Sequence, residues 1–526
     1  MTILEQLPEP LRKEVAAIDF RRSPMGVADA VVVFHRCTPN IDDLPRLLFG
    51  SKVFESVVRK SHELKVRLRD EIITDLRADM APVAPAAAVP TKVRVAFCDP
   101  NLNKALHAGH LRNIAIGHAA ASLWRYSGAA VTTQSVACDI GRNMAEALAG
   151  LEQSGMAEQA FAGRLDRRVG QLYAEYVQAA GVDEQLANRA DQVISRELQV
   201  HRDEADDYLT RWRTGEPQAR ALWAKVVDRM LREQAETLDR LGVAFDRVVL
   251  ESNALTGEAA LVDELTRLRM ARAESSGAVL IETGREDYPH CPLRRSDGFP
   301  TEHLRALSLW RDLAREAYDL TIHVMGDEWR TSTEVRVAIL DRLQDTKFAK
   351  RYAIVTHALV RFNSSTMKSS SGNVLLIDDV LDAISRRAES ADACESARPG
   401  CRGIRAAALI PLLAMPADRI IDLNEATFTE TDTNLGWQLA CTATRAGDDR
   451  APGIDPRCPV ERYLALQTER LCEAIPRAAR ANDPFSVVRA CRHLLEIDKR
   501  FELSARAQLW RATLIDEGMC ALGIKR

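Results

Sequence analysis

Residues 93–136 restrict the fold more than any other segment. Val93-Arg94-Val95-Ala96-Phe97 is a β-prone run and Val131 to Val136 is another; between them lie a Pro-Asn loop and an Ala-, Ile- and Leu-rich stretch from about Ala108 to Trp124. Strand, helix and strand in that order predict a parallel α/β unit, because parallel neighbours need a crossover of helical length. The junction between the first strand and the helix reads Phe97-Cys98-Asp99-Pro100-Asn101-Leu102-Asn103-Lys104-Ala105-Leu106-His107-Ala108-Gly109-His110-Leu111-Arg112. Ligands collect at such junctions, where helix N-terminal amides favour phosphate. His107 and His110 lie on one side of the first turn, and Gly109 between them lets a nucleotide approach the backbone. Donors so placed stabilise charge growing on a triphosphate during attack at the α-phosphorus. The competing reading is a plain helix start with two chance histidines; the strand-to-helix setting and the Pro-Asn pair favour a nucleotide site.

The rest of the chain is arranged around this unit. Its 526 residues correspond to about three domains at roughly 150 residues each. Residues 81–90 carry three prolines and no charge and read as a linker. Residues 1–80 read as a small α+β domain, with a β-prone run at Ala28 to Phe34 and helical spacing from Lys52 to Leu76. Charged helical spacing continues from Met144 to about Leu241 and predicts a helical insertion. Strand-like runs return at Val248 to Leu250, Ala278 to Ile281, Leu320 to Met325 and Tyr352 to Val355, and are expected to complete the parallel sheet. Residues 386–403 read as a second linker and 404–526 mostly as helix. The net charge of −4 excludes a generally basic surface for constitutive nucleic-acid binding. The longest apolar runs fall well short of the ~18 residues a membrane span needs. Eleven cysteines without a CxxC pair, and no signal-peptide pattern, lead to the expectation of reduced thiols in a cytoplasm.

Pro100-Asn101, Lys104 and His107 to Arg112 resemble the Pro-Asn-x-x-Lys-x-x-His-x-Gly-His-Leu-Arg signature of class I aminoacyl-tRNA synthetases, specifically arginyl-tRNA synthetase. Echoes follow in order at Val243 to Asp246 with Glu251-Ser252, Arg294 to Gly298, Ile322 to Gly326, His357, Gly372 to Val374 and Leu522 to Ile524, so the resemblance spans nearly the whole chain. It implies an α/β fold: a HUP-type Rossmann catalytic domain over 91–385, a small N-terminal α+β domain of tRNA-contacting type, and a shortened anticodon-binding-like helical bundle over 404–526. It further implies ATP, with Mg2+ carried by the nucleotide and no protein-bound metal site, and tRNA or aminoacyl-tRNA as a partner; the sequence leaves the oligomeric state open, with a monomer favoured. Catalytic roles fall to Lys104, His107, His110 and Lys368, and nucleotide contacts to Asn101, Gly109, Met367, Ser369, Ser370 and Ser371.

Departures from the family decide which activity to expect. Its Lys-Met-Ser-Lys-Ser loop is here Thr366-Met367-Lys368-Ser369-Ser370-Ser371-Gly372-Asn373, with one lysine left among serines. Hydroxyls hold phosphate less strongly than an ammonium, and Lys104 stands where arginyl enzymes with a degraded loop carry a compensating lysine. The family grips a guanidinium with carboxylates, because bidentate pairing gives energy and discrimination together. In this chain Ala96 replaces the acid on the strand before the signature, Glu302 and Ala306 stand at a Tyr and an Asp that follow Ser-Asp-Gly, and Trp329 replaces a Gln. Each lost charge-assisted bond costs about 1.5–3 kcal/mol, so discrimination for arginine should largely vanish unless Asp99 or Glu302 substitutes. Asn101, which the family uses for the amino acid's α-amino and carboxyl end, is retained. Asp99, Asp139 and Glu302 offer acids to a basic acceptor, or are structural, Asp99 capping the loop before the helix and Glu302 facing water. In the tail, Arg462, Arg470, Arg477, Arg480, Arg489, Arg492 and Arg500 form either a phosphate-facing stripe or a solvated helix face.

Three readings follow. The first is a repurposed enzyme that uses an aminoacyl adenylate or aminoacyl-tRNA to form an amide on a small-molecule amine, as in natural-product pathways, with an aliphatic amino acid such as leucine. The second is a divergent but genuine arginyl-tRNA synthetase, and the third a non-catalytic tRNA-binding relative. Intact Asn101, Lys104, His107 and His110 speak against the third, Ala96 and Ala306 against the second.

Overall fold

The computed structural model describes residues 7, 15–19, 30–34, 48–60, 63–76, 92–153, 161, 163–179, 196–344, 347–363, 365–366, 375–390, 402–443, 453–497, 499 and 501–525. Met367, Lys368, Ser369, Ser370 and Ser371 lie outside the described residues. At the N-terminus β1 (Val15–Asp19), β2 (Ala30–Phe34), β3 (Phe54–Lys60) and β4 (Glu63–Leu68) form an antiparallel sheet in the order β1-β2-β4-β3, followed by the short α1 (Asp70–Thr74). The helix expected over Lys52 to Leu76 is therefore mostly a hairpin. Leu64, Val66 and Leu68 are buried while Lys65 and Arg67 between them are half-buried. That is a strand's period of two, which the abundant charge disguised.

β5 (Lys92–Ala96), α2 (Ala108–Tyr126) and β6 (Ala130–Ala137) form the expected strand-helix-strand unit. The helical insertion follows as α3 (Arg142–Gln153), α4 (Leu165–Ala179), α5 (Arg196–Thr214) and α6 (Pro217–Arg240), around its own core of Met144, Leu148, Leu165, Tyr208, Trp212 and Met230. The chain then returns through β7 (Arg247–Leu250) and α7 (Glu258–Arg267) to a small antiparallel sheet of β8 (Ala271–Ala273), β9 (Val279–Glu282) and β10 (His290–Arg294). The strand expected at Ala278 to Ile281 thus stays out of the parallel sheet. The turns on either side of it are too short for a parallel crossover, so hairpin pairing is the solution left.

α8 (Glu302–Arg315), β11 (Leu320–Gly326), α9 (Arg330–Gln344) and β12 (Tyr352–His357) complete a five-stranded sheet of order β12-β11-β5-β6-β7, parallel throughout. Chain order reverses between β5 and β11, and a crevice opens outside the carboxyl ends of strands at such a switch point. Beyond it come β13 (Val360–Phe362), β14 (Ser365–Thr366), α10 (Ile377–Ser390), α11 (Arg402–Leu413), β15 (Ile421–Leu423), α12 (Glu425–Thr429), α13 (Leu435–Ala443), α14 (Pro459–Ala481), α15 (Phe485–Leu495) and α16 (Ala505–Ala521). Residues 386–390, assigned to a linker by composition, are the end of α10. β15 pairs in parallel with β13, so the C-terminal region is stitched to the region of the parallel sheet by backbone as well as by helices.

α2 is the axle of the molecule. Its Leu111, Ile114, Ala115, Ala119, Ala120 and Leu123 are buried, between the parallel sheet and α11, α14 and α16 of the bundle, which accounts for apolar residues on more than one face of the helix. Gly117 lets Phe97 lie against it; a Cβ there would fall 2.2 Å from the phenyl ring. Arg112, fully buried, donates to the carbonyls of Ala358, Arg419 and Pro416 at 2.9, 2.6 and 2.9 Å. Arg462 is likewise no part of a phosphate stripe: it is buried and donates to Asp70 Oδ1 at 2.6 Å, tying the bundle to the N-terminal unit. Cys98, Cys138, Cys291, Cys458, Cys472, Cys491 and Cys520 are free thiols, while Cys441 is disulfide-bonded, contrary to the expectation of reduced thiols throughout. Spacing along the chain does not show which thiols packing brings together. Among the described residues no helix is long and apolar enough to cross a membrane.

Candidate active site

The crevice at the switch point is a cleft of about 590 Å³. Asn101, Lys104, His107, Gly109 and His110 line it, as do Asp99, Glu302, Ala306 and Trp329. Sequence reasoning had singled out all nine, from segments some two hundred residues apart.

β5 delivers the first group by ending abruptly. Cys98 and Asp99 have φ of +78° and +35°, a left-handed pair that turns the chain off the sheet. Such residues cost of order 1–3 kcal/mol each unless surrounding structure holds them. Here Cys98 N–H donates to Asn113 Oδ1 at 2.7 Å, and Asn113 Nδ2 donates to the carbonyl of Val324 at 2.9 Å. One side chain of α2 thereby clasps the ends of β5 and β11. Asp99 accepts from Val136 N–H at 2.7 Å and from His323 Nε2 at 2.8 Å, and His323 Nδ1 lies 2.6 Å from the Tyr352 hydroxyl. Asp99 is thus anchored to β6 and β11 directly and to β12 through His323, and its bonds run to these strands and not to the loop before α2.

The histidines form a reciprocal cap at the start of α2. His107 Nδ1 accepts from Gly109 N–H at 3.1 Å, and His110 Nδ1 accepts from His107 N–H at 3.2 Å, with the ring centres 4.0 Å apart. A ring nitrogen that accepts from an amide carries no proton, so each neutral imidazole keeps its proton on Nε2. Burial, then His110 and the charge of Lys104, push the His107 pKa well below its ordinary 6.5; burial and Lys104 push His110 down to about 3. The pair is a fixed set of neutral N–H donors at a helix N-terminus, beside a lysine. The Lys104 carbonyl accepts from Gln234 Nε2 at 3.1 Å, which ties this loop to the insertion through α6.

The opposite wall comes from α8 and α9. Glu302 opens α8 and pairs with Arg336 of α9. Arg305, buried, lies with Nε 3.0 Å from buried Glu251 and donates from Nη1 to the carbonyl of Pro300 at 2.8 Å. Ala306, Leu309, Trp310 and Met325 make the remaining surface apolar, and Trp329 is exposed. Two of the residues singled out from sequence do not reach the cleft. Ala96 is buried in β5 between Gln134 of β6 and His323 of β11. Asp139 is fully buried behind the wall, where Oδ1 accepts from Ser252 N–H at 2.8 Å and burial raises its pKa. It holds the end of β6 to the turn after β7, and the expectation that it serves a bound substrate is corrected on that ground.

The sequence reading assigned no site role to Asn113, Glu251, Arg305, His323 and Arg336, all of which line the cleft. A histidine within the apolar run Leu320-Thr321-Ile322-His323-Val324-Met325 was a usable signal; the arginines had none, since charge on a helix ordinarily marks a solvated face.

A family model for the catalytic domain of class I (R) tRNA synthetases matches residues 73–393. The arginine–tRNA ligase of Bacteroides fragilis is 26% identical over 324 residues, 60% of this chain and 53% of that protein. The arginine–tRNA ligase of Treponema pallidum is 27% identical over 301 residues, 57% of this chain and 49% of that protein. The chain therefore spans about half the length of the curated relatives it matches. Among solved structures, Thermus thermophilus arginyl-tRNA synthetase superposes with a TM-score of 0.72 at 20% identity, over 97% of this chain and 95% of that chain. Arginyl-tRNA synthetase from Plasmodium falciparum gives 0.65 at 10% identity, over 94% and 91%. At these identities the structural likeness establishes the shared fold.

Proposed function

The chain belongs to the arginyl type of class I tRNA synthetases, whose catalytic-domain model matches more than half of it, and on that premise we propose that it is a nucleotide-dependent aminoacyl ligase that activates an amino acid other than arginine and passes the aminoacyl group to a small-molecule amine. The observation that carries this reading is that Asp99, Glu251 and Glu302, three of the four acids lining the cleft, are already matched within the protein, by His323, Arg305 and Arg336, while the fourth, Glu328, is exposed. A substrate guanidinium entering the cleft would compete with a resident partner at each of the three. The surface between them, Ala306, Leu309, Trp310 and Met325, suits an aliphatic side chain such as leucine.

ATP lies with its phosphates against the start of α2. The amino acid's carboxylate attacks the α-phosphorus, the bond to the β,γ-pyrophosphate breaks, and the mixed anhydride forms. Charge that builds on the phosphoryl oxygens meets the Nε2–H donors of His107 and His110 and the ammonium of Lys104, preset by the reciprocal cap and requiring no reorganisation. Asn101 holds the amino acid's polar end, and Mg2+ arrives with the nucleotide. The amine, its ammonium proton given up to solvent water, attacks the activated carbonyl, the second N–H proton is lost from the tetrahedral intermediate to water, and AMP leaves; from an aminoacyl-tRNA ester the terminal ribose oxygen leaves and takes up a proton from solvent.

ATP–pyrophosphate exchange with each amino acid, with and without tRNA, followed by mass spectrometry with candidate amines, tests the reading. Exchange with an aliphatic amino acid and an amide product are expected. Efficient arginine-dependent exchange would restore an arginyl-tRNA synthetase. Aminoacyl-tRNA with no amide on any amine would leave a synthetase of altered specificity.

A further inference from the structure

Arg336 enters the cleft from α9 and ends among three groups of α8. Its Nη2 donates to Glu302 Oε1, its Nε donates to His303 Nδ1 at 3.1 Å, and its guanidinium lies 5.8 Å from the centre of the Trp310 ring. Since the guanidinium can only donate, His303 Nδ1 is the acceptor, which leaves its Nε2 proton for the Tyr288 hydroxyl 2.7 Å away. Burial, then Arg336 and Arg305, push the His303 pKa down to about 4, so it stays a neutral acceptor. A carboxylate, an imidazole lone pair and an indole face converging on one planar cation are the parts of a guanidinium receptor. The receptor is filled from within: the Arg336 side chain is 6% exposed, while that of Glu302, at 43%, still opens to the cleft. His107 and His110 at the nucleotide end and Glu302 and Arg336 at this wall line the same cleft.

We propose that Arg336 determines specificity at this end of the cleft: as an internal guanidinium it occupies the receptor formed by Glu302, His303 and Trp310, excludes cationic amino-acid side chains and leaves the apolar surface of Ala306 and Leu309 to neutral ones. The proposal rests on reading the cleft as an aminoacyl-activating site. A second guanidinium would have to share Glu302 with a buried like charge, and desolvated like charges repel strongly. Without Arg336, Glu302 becomes an uncommitted acid beside a cavity of guanidinium size.

Calorimetric titration of the full chain with arginine, and with agmatine as a guanidinium probe, tests this without any chemical step. Arg336→Ala is expected to bind both about 10- to 100-fold more tightly than the wild type, the gain from one charge-assisted bond. Adding Glu302→Ala is expected to abolish the gain, and Arg336→Lys, which keeps a cation on Glu302, to bind as weakly as the wild type. Equal affinity of wild type and a folded, ATP-binding Arg336→Ala overturns the proposal, as does a gain that survives Glu302→Ala. If Arg336→Ala does not fold, Arg336→Met, which keeps the bulk and frees Glu302, is compared in the same way, and no gain there also overturns it. A wild type that activates no amino acid refutes the proposed function and leaves these binding outcomes decisive for Arg336.

Discussion

Replacing His110 with alanine removes two things of different size, and the structure assigns a magnitude to each. The first is half of the helix cap: His107 N–H loses its acceptor, while the bond from Gly109 N–H to His107 remains. Losing a whole cap costs about 0.5–2 kcal/mol, so about 1 kcal/mol of stability is expected here. The second is a neutral Nε2–H donor on a ring that lines the cleft. A donor of this kind acts on charge that appears only in the transition state, and its removal costs about 100- to 1000-fold in turnover with little change in nucleotide KM. ATP–pyrophosphate exchange with the amino acid the wild type activates, run beside urea denaturation, separates the two. The expected pattern is a small shift in the unfolding midpoint and a collapse in kcat. Turnover within about threefold of wild type would refute the donor role, and so would a rise in KM at constant kcat.

Three further outcomes follow from the same geometry. Arg112→Met leaves the carbonyls of Ala358, Pro416 and Arg419 without their buried donor and should cost about 3–5 kcal/mol in denaturation; a loss under about 1 kcal/mol would contradict the view of Arg112 as the bolt between α2 and the C-terminal region. Asp99→Asn keeps the shape and tolerates the left-handed backbone but removes the charge behind the bonds to Val136 and His323, so about 1.5–3 kcal/mol should be lost, and unchanged stability would discount that anchor. The folded pKa of His107 lies well below 6.5 and that of His110 near 3, so between those values the unfolded chain binds more protons: their contribution is present above pH 6.5 and is lost as pH falls from 6.5 toward 3. His110→Ala should therefore flatten the decline of the unfolding midpoint between pH 6.5 and 4, and parallel curves for variant and wild type would exclude a buried neutral His110.

The amino-acid sequence by itself determined the features that depend on near neighbours. β5, α2 and β6 were legible because their periodicities are local and their order admits one pairing, and the histidine pair was legible because residues three apart on a first turn must lie together. The hairpin of β3 and β4 was written in the same way, in the alternation of Leu64, Val66 and Leu68, and was missed only because charge density was weighed above period. Tertiary structure alone decided the rest. β9 joins a small antiparallel sheet according to what its short turns permit, and Asp139 turns inward because the end of β6 meets Ser252 there. Above all, the meaning of the acids in the cleft came from their partners: Glu302 pairs with Arg336 from 34 residues away and Asp99 with His323 from 224 away. Such a pairing is a property of distance in space, and a carboxylate open to a substrate cannot be told from one already partnered until the elements that carry both groups have packed.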